Sequence, residues 1–159
     1  MKALKTVEET LKTLNKELDI CKERIFVRGK QTIELKYINV KLDTEILLEK
    51  KYDEREFDIE FNRVLIQLPD IVKVWEQDNF SRQLIIDNWR LDKLPCNVLI
   101  QFLYRNRKMD ITCFIRSSDI TRLENDSISL AHILKKLTDI IKVRPGDVHL
   151  FITSLHRYI

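Results

Sequence analysis

Two stretches, NVLIQFLYR (97–105) and KMDITCFIR (108–116), decide the fold. Both are rich in β-branched and aromatic residues, and the polar RNRK (105–108) joins them, which predicts a β-hairpin. RQLIIDNWRL (82–91) has the same character, so Arg82 to Arg116 reads as strands adjacent in sequence. Outward from this segment the period changes. Leu4, Val7, Leu11, Leu14, Leu18 and Cys21 fall at steps of three and four, one apolar stripe of an amphipathic helix that stops short of a coiled coil. Ile33, Leu35 and Tyr37 alternate, then Ile38, Val40 and Leu42 take over the alternation, as in a strand carrying a bulge. The charge run EKKYDERE (49–56) reads as a solvated loop or first helical turn. Phe57, Phe61, Val64, Leu65 and Leu68 then recur at helical spacing, with Pro69 ending that helix and Asp70 capping a second. Asp126 reads as the N-cap of a helix over SISLAHILKKLTDIIK (127–142), RPGD (144–147) as a turn, and DVHLFI as a strand. Long strands adjacent in sequence, mixed with helices, predict an α+β fold with one large sheet.

Composition sets the frame. The chain has 159 residues, enough for one domain and rarely for two. With two Gly and three Pro it has no low-complexity linker. A net charge of +3, dispersed along the chain, argues against nucleic acid as the main partner. No apolar run reaches the roughly 18 residues of a membrane span. The charged N-terminus lacks the apolar core of a secretion signal. Three widely spaced cysteines, Cys21, Cys96 and Cys113, without a CxxC pair, predict no disulfide framework and no zinc knuckle and fit a reducing cytoplasm. Walker A, GxGxxG and HExxH motifs are absent, so metal and nucleoside triphosphate chemistry have no support.

The hairpin carries the first chemical expectation. If it closes about residues 106 and 107, paired positions sum to 212 or 213, and Cys96 lies opposite Arg116 or Ser117. A guanidinium beside a thiol favours the thiolate, which makes a cysteine a nucleophile near neutral pH. Arg116, Ser117 and Ser118 together suit a phosphate or a carboxylate. A buried structural cysteine next to a surface arginine is the competing reading, and spacing alone favours it. His132, inside the last helix, and His149, in a short strand, read as ordinary residues. His156, followed by Tyr158, has neighbours suited to hydrogen bonding.

SRQLIIDNWRLDKLPCNVLIQF (81–102) resembles the segment of thymidylate synthases that leads into the catalytic Pro-Cys pair. RSSD (116–119) resembles that family's Arg-Ser-x-Asp nucleotide motif, in ungapped register with Cys96. RPGDVHLFITSLHRY (144–158) resembles its Pro-Gly-Asp turn and His-x-Tyr pair, and RGKQTIEL (28–35) its phosphate loop. The resemblance implies a thymidylate-synthase-like fold. It has one large mixed sheet with flanking helices, a sheet-to-sheet homodimer and a single domain over 1–159 without the folate-site insertion or the C-terminal tail. It implies a one-carbon transferase, a hydroxymethylase or methylase at carbon 5 of dCMP or dUMP, with methylenetetrahydrofolate as donor and no metal. Cys96 is then the nucleophile that adds to carbon 6. Arg116 and Ser117, with Arg28, bind the 5′-phosphate, and Arg82 reaches the phosphate of the other subunit. Asp119 offers its backbone amide to the base, and His156 and Tyr158 hold the ribose 3′-hydroxyl. With a one-residue gap after Asp119, Asp126 stands at the uracil-reading Asn of the family. A carboxyl there suits cytosine, as in the deoxycytidylate hydroxymethylase branch. With the gap elsewhere, Asn125 is the reader and Asp126 a helix cap.

The departures are equally specific. EILL (45–48) answers the family's Glu-Leu-Leu-Trp with Glu45 but has Leu48 for the Trp. The second phosphate Arg is Gln83, the Gln before Arg-Ser-x-Asp is Ile115, and Thr153 and Ser154 replace a Gly-Asp pair. These losses point to the competing class, a non-catalytic nucleotide-binding or structural homologue acting through a protein partner, or an enzyme completed by a second subunit.

Overall fold

The computed structural model describes residues 6–27, 29–51, 59–88 and 95–159. Arg28, most of the charge run at 49–56, and the Trp-Arg segment at 89–94 lie outside the described residues. In chain order the elements are α1 (Val7–Ile20), β1 (Arg24–Val27), β2 (Lys30–Asp43), α2 (Thr44–Leu48), α3 (Ile59–Gln77), β3 (Ile85–Asp87), β4 (Asn97–Arg105), β5 (Lys108–Ile115), β6 (Ser118–Asp119), α4 (Leu123–Ile141) and β7 (Arg144–Tyr158). The strands form one mixed sheet in the order β1-β2-β7-β5-β4-β3, with β6 beside β7. This is the α+β architecture expected.

Asn106 and Arg107 both take positive φ. That is the geometry of a type I′ turn, whose twist matches that of the flanking strands. β4 and β5 close about it in the expected register, Asn97 opposite Ile115 and Ile100 opposite Cys113. β5 and β7 are parallel, a pairing that requires a crossover, and α4 supplies it. α4 is buried along Leu123, Ile128, Ala131, Leu134 and Leu137, and it packs on β5 and β7. The helices and the inward side chains of the strands share a single apolar core, with Phe61, Phe102 and Ile111 at most 2% exposed.

Three expectations need correction. Pro69 does not divide the helices: α3 runs through it. Phe61, Val64, Leu68 and Ile71 form one continuous buried face, so packing outweighs the one backbone hydrogen bond that proline forgoes. Asp70 therefore lies inside α3, where it accepts from Lys73 Nζ at 2.9 Å, and it heads no second helix. RPGD is part of β7, with Arg144 and Pro145 paired to Lys108 and Met109. The irregularity falls just beyond, where the Asp110 carboxylate accepts from the Asp147 amide at 2.8 Å. A Cβ on Gly146 would stand 3.0 Å from the Met109 carbonyl and collide with Asp110. Glycine is required there by close approach.

The third concerns the change of alternation in β2. No extra residue is inserted: Lys36 pairs with Ser154 and Ile38 with Ile152 in one unbroken register. Tyr37 instead takes a positive φ, in the left-handed region. That conformation costs a non-glycine residue about 1–2 kcal/mol. The parity of the core-facing residues changes there on both strands. Ile33 and Leu155 face inward on one side of the kink, Val40 and Leu150 on the other. Beyond the kink the uncovered face of the sheet carries Phe114 and Phe151, stacked at 5.3 Å, beside Tyr37, which is 80% exposed.

Candidate active site

A cleft of about 550 Å³ is lined by β1, β2, β6, β7, the start of β4 and the start of α4. Cys96 lies at its mouth, one residue before β4, with an exposed side chain. The Arg116 amide donates to the Cys96 carbonyl at 2.8 Å, so the hairpin arithmetic holds at the residue that matters. Below it Asn97 is buried and its side-chain oxygen accepts from Cys113 Sγ at 3.8 Å, which anchors the start of β4.

Arg116, Ser117 and Asp119 line the same cleft. β6 places them by pairing in parallel with β7, Ser118 with Leu155 and Asp119 with His156. The Asp119 carboxylate accepts from the amide and the hydroxyl of Thr121 at 2.9 and 2.8 Å, which orders the turn into α4. That turn starts the helix at Leu123, whose side chain is fully buried, so Asp126 lies in the first turn and is not its N-cap. Asp126 lines the cleft, whereas Asn125 is exposed and lies outside its lining.

His156 and Tyr158 stand on the β7 wall, their rings edge to face at 5.1 Å. Ser117 Oγ lies 3.4 Å from His156 Nδ1. The cleft therefore gathers six of the sequence-predicted residues around Cys96: Arg116, Ser117, Asp119, Asp126, His156 and Tyr158. Arg82 is not among them. It lines a separate hollow of about 420 Å³ beside Phe80 and Asp78, and its carbonyl accepts from Gln101. Arg28 lies outside the described residues.

Two charged residues of the wall were missed at sequence level. Glu34 lines the cleft from β2, its side chain 18% exposed, and accepts a hydrogen bond from the Ser154 hydroxyl. Arg122 lines it from the start of α4. A signal for Glu34 exists in QTIEL, where the acid falls on the face opposite Ile33 and Leu35. His149, expected to be unremarkable, sits 3.8 Å from Asp110, and Asp147 pairs with Lys41 at 2.8 Å. The hydrogen bond to Asp147 holds the Lys41 ammonium above its ordinary 10.5.

The family model for thymidylate synthase matches residues 36–159, and the chain belongs to that family, one of pyrimidine-nucleotide one-carbon transferases. No curated protein matches the chain significantly. Enzymes of the family typically use methylenetetrahydrofolate. The described lining does not fit a pteridine. Tyr158 carries its one six-membered aromatic ring among the described residues, and that ring meets the His156 imidazole and the Lys30 ammonium, 5.3 Å from its centroid. Glu45 lies in the first turn of α2, its amide donating to the Asp43 cap at 2.8 Å, and Leu48 packs on the core; neither lines the cleft. No helix of the described residues is long and apolar enough to cross a membrane.

Proposed function

We propose that the cleft binds a pyrimidine nucleoside monophosphate and that Cys96 adds reversibly to carbon 6 of its base. The convergence of an exposed thiol with Arg116, Ser117, His156 and Tyr158 in one cleft carries this reading. Arg116 and Ser117 hold the 5′-phosphate through charge-assisted hydrogen bonds. His156 and Tyr158 hold the sugar 3′-hydroxyl, and the Asp119 amide faces the base. Asp126 is the base reader, because α4 begins three residues earlier and leaves its carboxyl on the cleft wall. A carboxyl accepts from the cytosine amino group and, when protonated, donates to N3.

In this reading the chain is one domain and a one-carbon transferase acting at carbon 5 of dCMP or dUMP. The lack of fit to a pteridine favours a second reading, a nucleotide-binding homologue that works with a protein partner. Calorimetric titration with dCMP, dUMP and CMP tests the site and the base together. The expected result is preference for a cytosine nucleotide, shifted toward uracil by Asp126→Asn. Failure of all three to bind sinks the site, and a dUMP preference in the unaltered protein removes Asp126 as reader.

The uncovered sheet face, with Tyr37, Phe114 and Phe151 exposed together, supports a homodimer packed sheet to sheet. Arg82 lies apart from the cleft of its own chain, and in this dimer it serves the partner's phosphate. Sedimentation at micromolar concentration should give twice the 19.1 kDa chain mass. A single-chain mass would refute the dimer.

A further inference from the structure

We infer that Glu34 is a sugar-reading residue, the acceptor for the proton of the nucleotide's 3′-hydroxyl. The inference rests on the nucleotide reading of the cleft and adds to it a residue from a different strand. Glu34 stands directly opposite His156 in the β2–β7 register, with Thr32 opposite Tyr158 and Lys36 opposite Ser154. Directly opposed side chains on one face have Cβ atoms about 5 Å apart, and diagonal neighbours remain within reach of long side chains. The Glu34 carboxylate thus belongs to the patch of wall that presents His156 and Tyr158.

Hydrogen-bond accounting at that patch calls for an acceptor. A hydroxyl has one proton to donate and two lone pairs to fill. When Ser117 donates to His156 Nδ1, the imidazole proton resides on Nε2, so the ring offers the ligand a donor. The Tyr158 phenol supplies a second. Two donors fill the lone pairs of a sugar hydroxyl and leave its proton without a partner. An ionised carboxylate can only accept. Glu34 brings carboxyl oxygens to that patch, mostly withdrawn from solvent and steadied by the Ser154 hydroxyl, with Lys36 no nearer than 4.0 Å. The kink at Tyr37 makes the placement: upstream of it the even-numbered residues of β2 face the cleft, and downstream they face the core.

The test compares nucleotides that differ only at the 3′-position. The protein is titrated calorimetrically with dCMP and 2′,3′-dideoxycytidine monophosphate, and with the matching uridine pair. Unaltered chain, Glu34→Ala and Glu34→Gln are measured side by side. The glutamine variant retains an acceptor oxygen and the bond to Ser154, so it guards against a folding defect. Loss of a hydrogen bond to a charged acceptor should weaken the 3′-hydroxylated nucleotide roughly tenfold to a hundredfold in Glu34→Ala. Glu34→Gln should fall in between, and the dideoxy nucleotide should change less than about twofold in either variant. Equal weakening of both nucleotides would make Glu34 a support of the wall through Ser154 and overturn the assignment. Unchanged binding of both would overturn it as well. If the unaltered protein binds no pyrimidine nucleotide, the reading of the cleft itself fails, a result distinct from either of those.

Discussion

Cys96→Ala should abolish exchange of the carbon 5 hydrogen of a bound pyrimidine nucleotide with water while leaving its binding within a fewfold of the parent. Carbon 5 of an aromatic pyrimidine does not release its hydrogen readily. Attack of the Cys96 thiolate forms a sulfur–carbon bond at carbon 6 and breaks the 5,6 double bond, and carbon 5 takes a proton from solvent. Reversal removes either hydrogen from carbon 5 as a proton, restores the double bond and expels the thiolate. The cycle balances without a carbon donor, so tritium release from 5-labelled dCMP or dUMP reads Cys96 alone. The alanine variant lacks the only group of the cycle that forms a bond to the base, and the expected loss is complete. Binding should persist because the proposed phosphate and sugar contacts lie on β2, β7 and the Arg116–Ser117 segment between β5 and β6, not on residue 96. The Cys96 carbonyl that accepts from Arg116 is backbone and survives the substitution. Absence of exchange by the parent, with nucleotide bound, would favour the non-catalytic homologue. Exchange surviving in the variant would exclude Cys96 as nucleophile.

Arg116→Ala should weaken binding of every pyrimidine monophosphate by about a hundredfold or more, whatever the base. A guanidinium meets a phosphate bidentately, and charge-assisted hydrogen bonds are about twice as strong as neutral ones. Two such bonds at about 1.5–3 kcal/mol each correspond to at least two decades of affinity. The loss should extend equally to dCMP and dUMP, because phosphate recognition carries no information about the base. Fold should be retained: the Arg116 side chain is exposed, and the backbone amide that donates to the Cys96 carbonyl survives the substitution. Calorimetry on the variant, with a thermal melt as control, checks both parts. Affinity within threefold of the parent would remove Arg116 from the phosphate site. Arg116→Lys keeps the charge but not the planar fork and should recover only part of the loss.

The candidate site was legible wherever its residues were close in sequence or related by a short turn. The distance from Cys96 to Arg116 is set by one hairpin, and a tight turn at Asn106 and Arg107 makes that hairpin predictable. Its wall on β2 was not legible. Glu34 meets His156 from near the opposite end of the chain, and no local pattern reports a pairing of that separation. The role of Asp126 was ambiguous for a different reason. An aspartate before an apolar run satisfies the rule for a helix cap, and only the burial of Leu123 shows that the helix starts earlier. Pro69 misled in the same way: local backbone chemistry predicts a break, and the buried face of α3 overrides it.

The sequence by itself determined the strand-rich centre, the hairpin, the helical stripes and the motifs of the thymidylate synthase family. All of these depend on side-chain period or on short spacing along the chain. The tertiary structure alone decided that β7 lies between β2 and β5, that Tyr37 turns the sheet face over at the cleft, and that Asp126 and Glu34 face the site while Arg82 does not. The physical reason is that strand neighbours are chosen by burial of one shared core. The energy of that choice is spread over residues far apart in the chain, where no local preference records it.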